Sequence, residues 1–486
     1  MNNHIKISLL VVILLSSIIG KSQYTIVNLS NHFQNHFGWD ISGYGEYCCV
    51  SDPRDSINEL GNGSVNIYKK NALSWNFVQS ISAATKAPYQ LFGYKVSMNK
   101  KYLAVSEIGN RTKGFMSGKV TIYKLQNSIW SHFQDILPDS NKKSMYFGEE
   151  IELYNDMLYI GAPNIDSGCV VVYQLQGGQF IKKQKIPSPF DMDFEFGKSI
   201  NVNQNHLFIG APATSNSLIN GGVFVYQMQN NKWELDTFFR EQPSASSSNF
   251  GISLASQDDI LVIGAPHTAV NDGAEDYFFA GAVYVANKTN NVWSMNPIPI
   301  TSSNIGGHDL FGSSVAIKDS VLFASSTRQT NITKDDGSIE VFKLNNSVWL
   351  SDTTYYSPQS DIYFGNNIFV FNDNLMVSTG GEKEDKNKGL VYIYQVKDLV
   401  SGISNSDKND LNIVIYPNPA SDFFTIEIPN GKSHKYQIFS IQGKLLSDGD
   451  LVNNKKIDVS SFANGAYMIS IYTDDIVYTK LFTVAR

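Results

Sequence analysis

The side chains best equipped for chemistry in this chain are scattered along it. Of eight histidines, His4 lies in the N-terminal apolar segment, and the others are His32, His36, His132, His206, His267, His308 and His434. His32 and His36 have His-x-x-x-His spacing, which brings two imidazoles to one face of a helix. Here the pair falls in a loop after a strand-like stretch, where the spacing has no such effect and solvated imidazoles are expected. No His-Glu-x-x-His, Gly-x-Ser-x-Gly or phosphate-loop pattern occurs. Glu382, Glu384 and Asp385 occupy a charged loop and read as solvated surface. Cys48 and Cys49 adjoin on a predicted strand and so point to opposite faces. With Cys169 they make an odd, small count that argues against a disulfide framework, and small buried apolar side chains are expected. No catalytic residue, cofactor or metal ligand is therefore expected, and the chain is not read as an enzyme. What remains is binding chemistry at Phe115, Met116, Tyr277 and Phe278, in two connections of a repeated unit.

That unit fixes the elements. Phe-Gly followed three residues later by Ile, Val or Leu recurs at Phe37-Gly38, Phe92-Gly93, Phe147-Gly148, Phe196-Gly197, Phe250-Gly251, Phe311-Gly312 and Phe364-Gly365. The period of roughly 50–60 residues suits propeller blades. A second signature, Ile-Gly-Ala-Pro, is complete at Ile160–Pro163, Ile209–Pro212 and Ile263–Pro266. Elsewhere Ser or Ala replaces its Gly, as at Ser51, Ser106, Ala324 and Ser378, which indicates tight packing rather than chemistry. A third, Gly-x-Val-x-Val-Tyr in its fullest form, alternates with the period of a strand. A polar turn then leads to an aromatic that opens a fourth strand: Trp75, Trp130, Phe180, Trp233, Trp293 or Trp349. Seven copies of four short antiparallel strands predict an all-β seven-bladed β-propeller over residues 23–398. The seventh copy lacks its fourth strand, and the unassigned stretch from Tyr24 to Leu29 is expected to supply it and close the ring. Each opening Phe is expected to pack between blades, with its Gly allowing close approach. In such blades the 2–3 connections and the links between blades share one side. Variable connections on a rigid scaffold are where binding resides, so the four residues above mark the candidate surface.

The flanks differ in character. Residues 1–22 read as a cleaved export signal: Lys6 starts it, an apolar run follows to Gly20, and Gly20 and Ser22 are the small residues at the cleavage site. That run is short of the roughly 20 residues needed to span a bilayer, and no later segment is long and apolar enough. Residues 399–409 read as a linker. From 410 to 486 a new strand pattern begins, consistent with a small Ig-like β-sandwich. The net charge of −7 with 17% charged residues argues against a nucleic-acid partner.

The Phe-Gly openings and Gly-Ala-Pro turns resemble the FG-GAP repeat family in its bacterial form, over residues 24–395. Integrin α-subunit heads share that architecture, and the likeness implies adhesion or ligand binding. Integrin-type repeats often carry an Asp-x-Asp-x-Asp-Gly calcium loop. Here the nearest approaches are Asn271-Asp272-Gly273 with Glu275 and Asp276, and Asp335-Asp336-Gly337, which supply few of the oxygens a hard cation needs, so calcium is kept only as a minor alternative to no cofactor. The C-terminal segment resembles the type A sorting domain of the type IX secretion system. The likeness rests on Tyr416-Pro417-Asn418-Pro419-Ala420, Ile438–Lys444, Ile457–Ser460 and Gly465-Ala466-Tyr467. It implies handling by that machinery and release or display at the outer surface of a Gram-negative cell. The function expected is a secreted or surface-displayed module that binds a glycan or protein. A docking platform in a surface assembly and a hydrolase with a propeller-borne site are the alternatives.

Overall fold

The computed structural model describes residues 24–27, 36–55, 62–71, 74–84, 88–190, 195–212, 221–241, 248–271, 275–330, 336–345, 347–358, 363–380, 389–399, 414–427, 434–440, 445–451, 455–472 and 477–485. The expected signal, His32, Asp272, Gly273, Asp335, the Glu382, Glu384 and Asp385 loop and most of the linker lie outside them. No helix among the described residues is long and apolar enough to cross a membrane.

Through residue 399 the chain builds seven four-stranded antiparallel sheets. Sheet 1 comprises Ile41–Tyr44, Tyr47–Asp52, Ser64–Lys70 and Trp75–Ser82. Sheets 2 to 6 repeat this order from first strands Phe92–Met98, Glu150–Tyr154, Ser199–Val202, Ser253–Gln257 and Phe311–Lys318. Sheet 7 takes Ile368–Phe371, Asn374–Ser378 and Val391–Gln395 from its own repeat. Its fourth strand is Tyr24–Val27 from the N-terminal side, in register from Tyr24 opposite Tyr394 to Val27 opposite Val391. First strands of successive sheets touch, and the seventh touches the first. The arrangement is a β-propeller whose ring closes by packing between sheets, each hydrogen-bonded ladder remaining separate.

Two devices set the spacing between sheets. The first is a glycine at the start of the third strand, held against the carbonyl of the next opening Phe. Gly118 has φ +85°, and a Cβ there would lie 2.1 Å from Phe147 O. Gly63 meets Phe92 O in the same way, and Gly389 meets Phe37 O across the ring closure. The seven opening Phe side chains are all buried. Phe147, for example, joins Val120 and Ile122 of sheet 2 to Ile151 and Ile160 of sheet 3 in one core. The second device is the fourth-strand aromatic, which packs on the sheet before it. Trp130 meets Tyr47 at 5.9 Å, Phe180 meets Tyr102 at 5.3 Å, Trp233 meets Tyr159 at 6.1 Å and Trp75 meets Phe371 at 5.8 Å, all edge-on. A glutamine of the preceding sheet clamps the aromatic's backbone. The Gln79 side chain donates to Trp130 O and accepts from Trp130 N, and Gln134 and Gln184 do the same at Phe180 and Trp233. Cys48 and Cys49 face opposite cores as expected, Cys48 with Phe371 and Cys49 with Phe92.

The compact propeller unit runs through Leu399, one residue beyond the expected boundary. Val396–Leu399 forms a single helical turn, Leu399 is buried, and Tyr355 Oη donates to Leu399 O at 2.9 Å. The second unit holds two sheets. One contains Val414–Tyr416, Phe423–Glu427 and Lys455–Asp458, the other His434–Ser440, Leu445–Leu451, Gly465–Tyr472 and Val477–Val484. Phe424 and Ile426 of one share a core with Ile438, Ile469 and Phe482 of the other. The Pro-Asn-Pro-Ala run anchors the last strand, since Asn418 Oδ1 accepts from both Thr483 N and Thr483 Oγ1.

Gly118→Ala is expected to cost about 3 kcal/mol or more, because a left-handed backbone and a backbone clash act together. Gly177, at φ +57° in an open turn with nothing within 4 Å, provides the comparison; Gly177→Ala should cost about 1 kcal/mol. Urea unfolding of the two variants measures the difference, and equal losses would remove the close approach as the cause.

Candidate functional site

The four residues singled out above do not form one site. Phe115 and Met116 lie in the 2–3 connection of sheet 2, Tyr277 and Phe278 in that of sheet 5, and these sheets are not neighbours. Phe115 is exposed beneath the Arg111 guanidinium, 5.0 Å from the ring centroid. The backbone carbonyls of Phe115 and Met116 accept from Ser144 N and Tyr146 N, which tie the connection to the start of sheet 3. Tyr277 pairs with Val270 in a two-residue ribbon. Phe278 is exposed, and its carbonyl accepts from His308 N. These residues join neighbouring sheets at the rim.

The polar convergence is at the axis, on the same side. It arises from the two residues that follow each Phe-Gly. At the first of these positions stand Trp39, Tyr94, Glu149 and Lys198, all half-buried. The rings of Trp39 and Tyr94 are 5.5 Å apart, and His36 lies 6.1 Å from Trp39. Lys198 pairs with Glu149 and reaches Glu195 at 4.0 Å. At the second position stand Asp40, just before the first strand of sheet 1, and Lys95 and Glu150 on the first strands of sheets 2 and 3. The Lys95 ammonium is 3.0 Å from Glu150 and 3.7 Å from Asp40. Glu152 lies two residues further along the third of these strands, where Ser97 Oγ donates to it at 3.5 Å.

Much of this cluster joins the sheets. Asp40 accepts from Val96 N at 2.7 Å and from Asn367 Nδ2 at 2.6 Å, and so bridges sheets 2 and 7. Ser42 accepts from Met98 N, Ser97 from Leu153 N, and Ser314 from Ile368 N. Asp40 therefore has a structural use for both oxygens.

The carboxyls beyond it are less committed, and their environments separate them. Burial pushes Glu150 up and Lys95 partly offsets this, leaving it at about 6. Burial, then the charges of Glu150 and Asp40, push Glu152 to about 8. For Lys95, burial works against the charge, but Asp40 and Glu150 outweigh it and hold the ammonium charged. Burial, followed by Glu149, raises the Tyr94 phenol. Near neutral pH the axis thus presents an ionised carboxylate, a protonated carboxyl, a fixed ammonium and two aromatic rings. Such a set can stack on an apolar ring face, donate and accept hydrogen bonds to hydroxyls, and hold a proton ready at Glu152. Among the described residues no group of three or more His, Cys, Asp or Glu is placed to hold a metal.

Sequence reasoning missed this site because Phe-Gly was read as structural and the next two residues were left unread. Their succession over four consecutive repeats, Trp-Asp, Tyr-Lys, Glu-Glu and Lys-Ser, was the available signal.

Comparison with known proteins identifies the C-terminal unit. Residues 414–485 are a secretion system C-terminal sorting domain. This tail marks the chain for export through the type IX secretion system to the cell surface. The chain is also 29% identical over 120 residues to an ulvan lyase of Nonlabens ulvanivorans. That match covers 23% of this chain and spans about a fifth (21%) of the lyase. Solved structures similar to the chain include the β-propeller domain of the Trilobed protease from Pyrococcus furiosus. It is 10% identical with a TM-score of 0.41, over 74% of this chain and 97% of that one. A putative 6-phosphogluconolactonase from Bacteroides fragilis is 10% identical with a TM-score of 0.42, over 66% and 84%. These likenesses carry no activity across.

The Glu152 carboxyl supplies a pH test. Its folded-state pKa lies above the ordinary 4.5, so the folded state holds the extra proton. Wild-type stability therefore falls relative to Glu152→Gln as pH rises from about 4.5 towards about 8, with a slope of at most about 1.4 kcal/mol per pH unit. Above and below that window the difference should be flat. Denaturant midpoints measured across pH read this, and a pH-independent difference would place Glu152 in open solvent.

Proposed function

We propose that the chain is a secreted or cell-surface binding protein whose propeller takes a glycan at the axial mouth. The observation that carries this reading is the Trp39–Tyr94 ring pair, 5.5 Å apart, set directly before the Asp40 and Lys95 positions. Sugars present apolar ring faces that stack on aromatics and hydroxyls that carboxylates and ammonium groups bind, and both partners meet here. In this reading the seven sheets are the blades of one seven-bladed FG-GAP propeller, residues 1–22 are its export signal, and the C-terminal unit is an Ig-like sandwich. The sorting tail supports the setting, since a surface-delivered protein meets extracellular polysaccharide and matrix.

A hydrolase is the second reading, and one observation favours it. Glu150 and Glu152 sit on one strand with pKa values of about 6 and about 8, and such separation is how paired carboxyls divide acid and base roles. Adhesion through a rim surface at Phe115 and Phe278 has weaker support, because those residues lie in separate connections.

The test is a glycan array with the purified mature chain, followed by titration of any hit against Trp39→Ala and Tyr94→Ala. Loss of stacking at either ring should weaken binding by about tenfold or more, with the circular dichroism spectrum unchanged. Product analysis of the bound glycan separates binding from cleavage. A blank array, or hits indifferent to both substitutions, would count against the axial site.

A further inference from the structure

The repeats allow one internal position to be compared from sheet to sheet. After the second strand the chain turns through a short segment before the third-strand glycine. In sheet 1, Asp55 N donates to Asp52 O and Gly63 N donates to Asp55 O. The same two bonds recur at Glu107, Asn110 and Gly118, at Ala162, Ile165 and Gly168, at Ala265, Thr268 and Gly281, and at Ser326, Gln329 and Gly337. The backbone is thus constant in sheets 1, 2, 3, 5 and 6, and only the side chains differ.

Three of the five sheets balance this spot, and sheet 5 does so in part. In sheet 2 the Lys119 ammonium lies 2.8 Å from Glu107, and Asn110 Nδ2 donates to the same carboxylate at 3.2 Å. In sheet 3 the residues are apolar, Ala162, Ile165 and Cys169. In sheet 5, Thr268 and Tyr284 both donate to Glu241 Oε1 at 2.8 Å, while its Oε2 has no donor. In sheet 6, Ser338 donates to the neutral side chain of Gln329.

Sheet 1 has acceptors instead. Ser64 spends its proton on Asp55 at 2.6 Å, and Asn66 Nδ2 donates to Ser64 Oγ at 3.4 Å. Asp52 stands directly opposite Ser64 in the ladder, on the face that also bears Asn66. Asp52 is 1% exposed, Asn62 3% and Asn66 0%, and Asp52 Oδ2, Asn62 Oδ1 and Asn66 Oδ1 have no hydrogen-bond donor. A buried carboxylate oxygen and two buried amide oxygens without donors are costly unless something positive sits among them.

We propose that sheet 1 binds one calcium ion among Asp52, Asp55, Asn62, Ser64 and Asn66. Two carboxylates call for two positive charges, and the remaining oxygens are neutral and hard, the donor set calcium takes. Magnesium keeps its waters and demands near-ideal octahedral geometry, which suits a dry strand end poorly. The ion does for sheet 1 what the Lys119 ammonium does for sheet 2. The proposal does not depend on what the axial mouth binds.

The experiment uses the full mature chain, stripped with chelator and titrated with calcium chloride by calorimetry and thermal unfolding. One calcium per chain and a saturable rise of several degrees in Tm are expected. Asp52→Asn should lose both. Ser64→Lys, which places an ammonium where Lys119 stands in sheet 2, should lose the calcium response while unfolding near the temperature of the loaded wild type. A wild type indifferent to calcium would overturn the proposal, as would Asp52→Asn retaining the full response. An equal or larger rise with magnesium chloride would overturn the assignment to calcium.

Discussion

The contact on which the rest of this propeller depends is a missing atom. At the start of the third strand a glycine backbone lies against the carbonyl of the next sheet's opening Phe, at a distance that leaves no room for a Cβ. The approach seals each Phe between two sheets and brings first strands within hydrogen-bonding distance of one another. The same contact at Gly389 and Phe37 joins the last sheet to the first, so ring closure uses the geometry found at five other interfaces. Burial of a Phe contributes roughly 1.5–3 kcal/mol, and seven buried Phe side chains, six of them sealed by this glycine, make the ring a cooperative object rather than a string of separate sheets.

Small residues near this contact show that space and hydrogen bonding are conserved together within the chain. Where the second strand has Ser, as at Ser51, Ser106, Ser325 and Ser378, its hydroxyl accepts from the backbone two residues past the Phe-Gly glycine. Where the second strand has Gly, as at Gly210 and Gly264, the hydroxyl moves to Ser199 and Ser253 and donates to the next sheet's glycine carbonyl. One hydroxyl serves each of these six junctions, supplied from one strand or the other, whereas in sheet 3 Gly161 stands opposite Glu150. A Cβ on Gly210 or Gly264 would meet that carbonyl at 2.2 or 2.1 Å, which is why the exchange takes this form.

The architecture was legible because these constraints repeat. Phe-Gly, the small residue of the second strand and the third-strand glycine are backbone requirements, and seven aligned copies separate them from chance. The pairing of Tyr24–Val27 with Val391–Gln395 could be anticipated from a missing strand at one end and a spare at the other. The glutamine clamps could not, although Gln79, Gln134 and Gln184 all stand four residues after their own strand's aromatic, because a polar residue on an outer strand carries no signal of its partner. The axial site was obscured for a different reason. Asp40, Lys95 and Glu150 come from separate repeats some 55 residues apart, and only the ring brings them together. Attention to variable connections led instead to Phe115 and Phe278, which the fold holds apart.

The position of the site follows from where the constraint stops. Up to the Phe-Gly glycine the chain is fixed by contact with the preceding sheet, and three residues later Ile, Val or Leu is fixed by the core. The two residues between lie where the first strands converge, and the second of them also ties neighbouring sheets together, as at Asp40, Ser199, Ser253 and Ser314. They differ from sheet to sheet: Trp-Asp, Tyr-Lys, Glu-Glu and Lys-Ser on one arc, then Ile-Ser, Ser-Ser and Asn-Asn on the rest. Ring closure turns this pair into a collar in which one arc is aromatic and charged and the other nearly neutral. The low effective dielectric of a narrow, protein-walled mouth strengthens every charge interaction there relative to the rim. A substitution at the first of the two positions changes the chemistry of the mouth without removing the hydrogen bonds that the second makes between sheets. The fold thereby confines its chemical variation to the place where that variation acts most strongly.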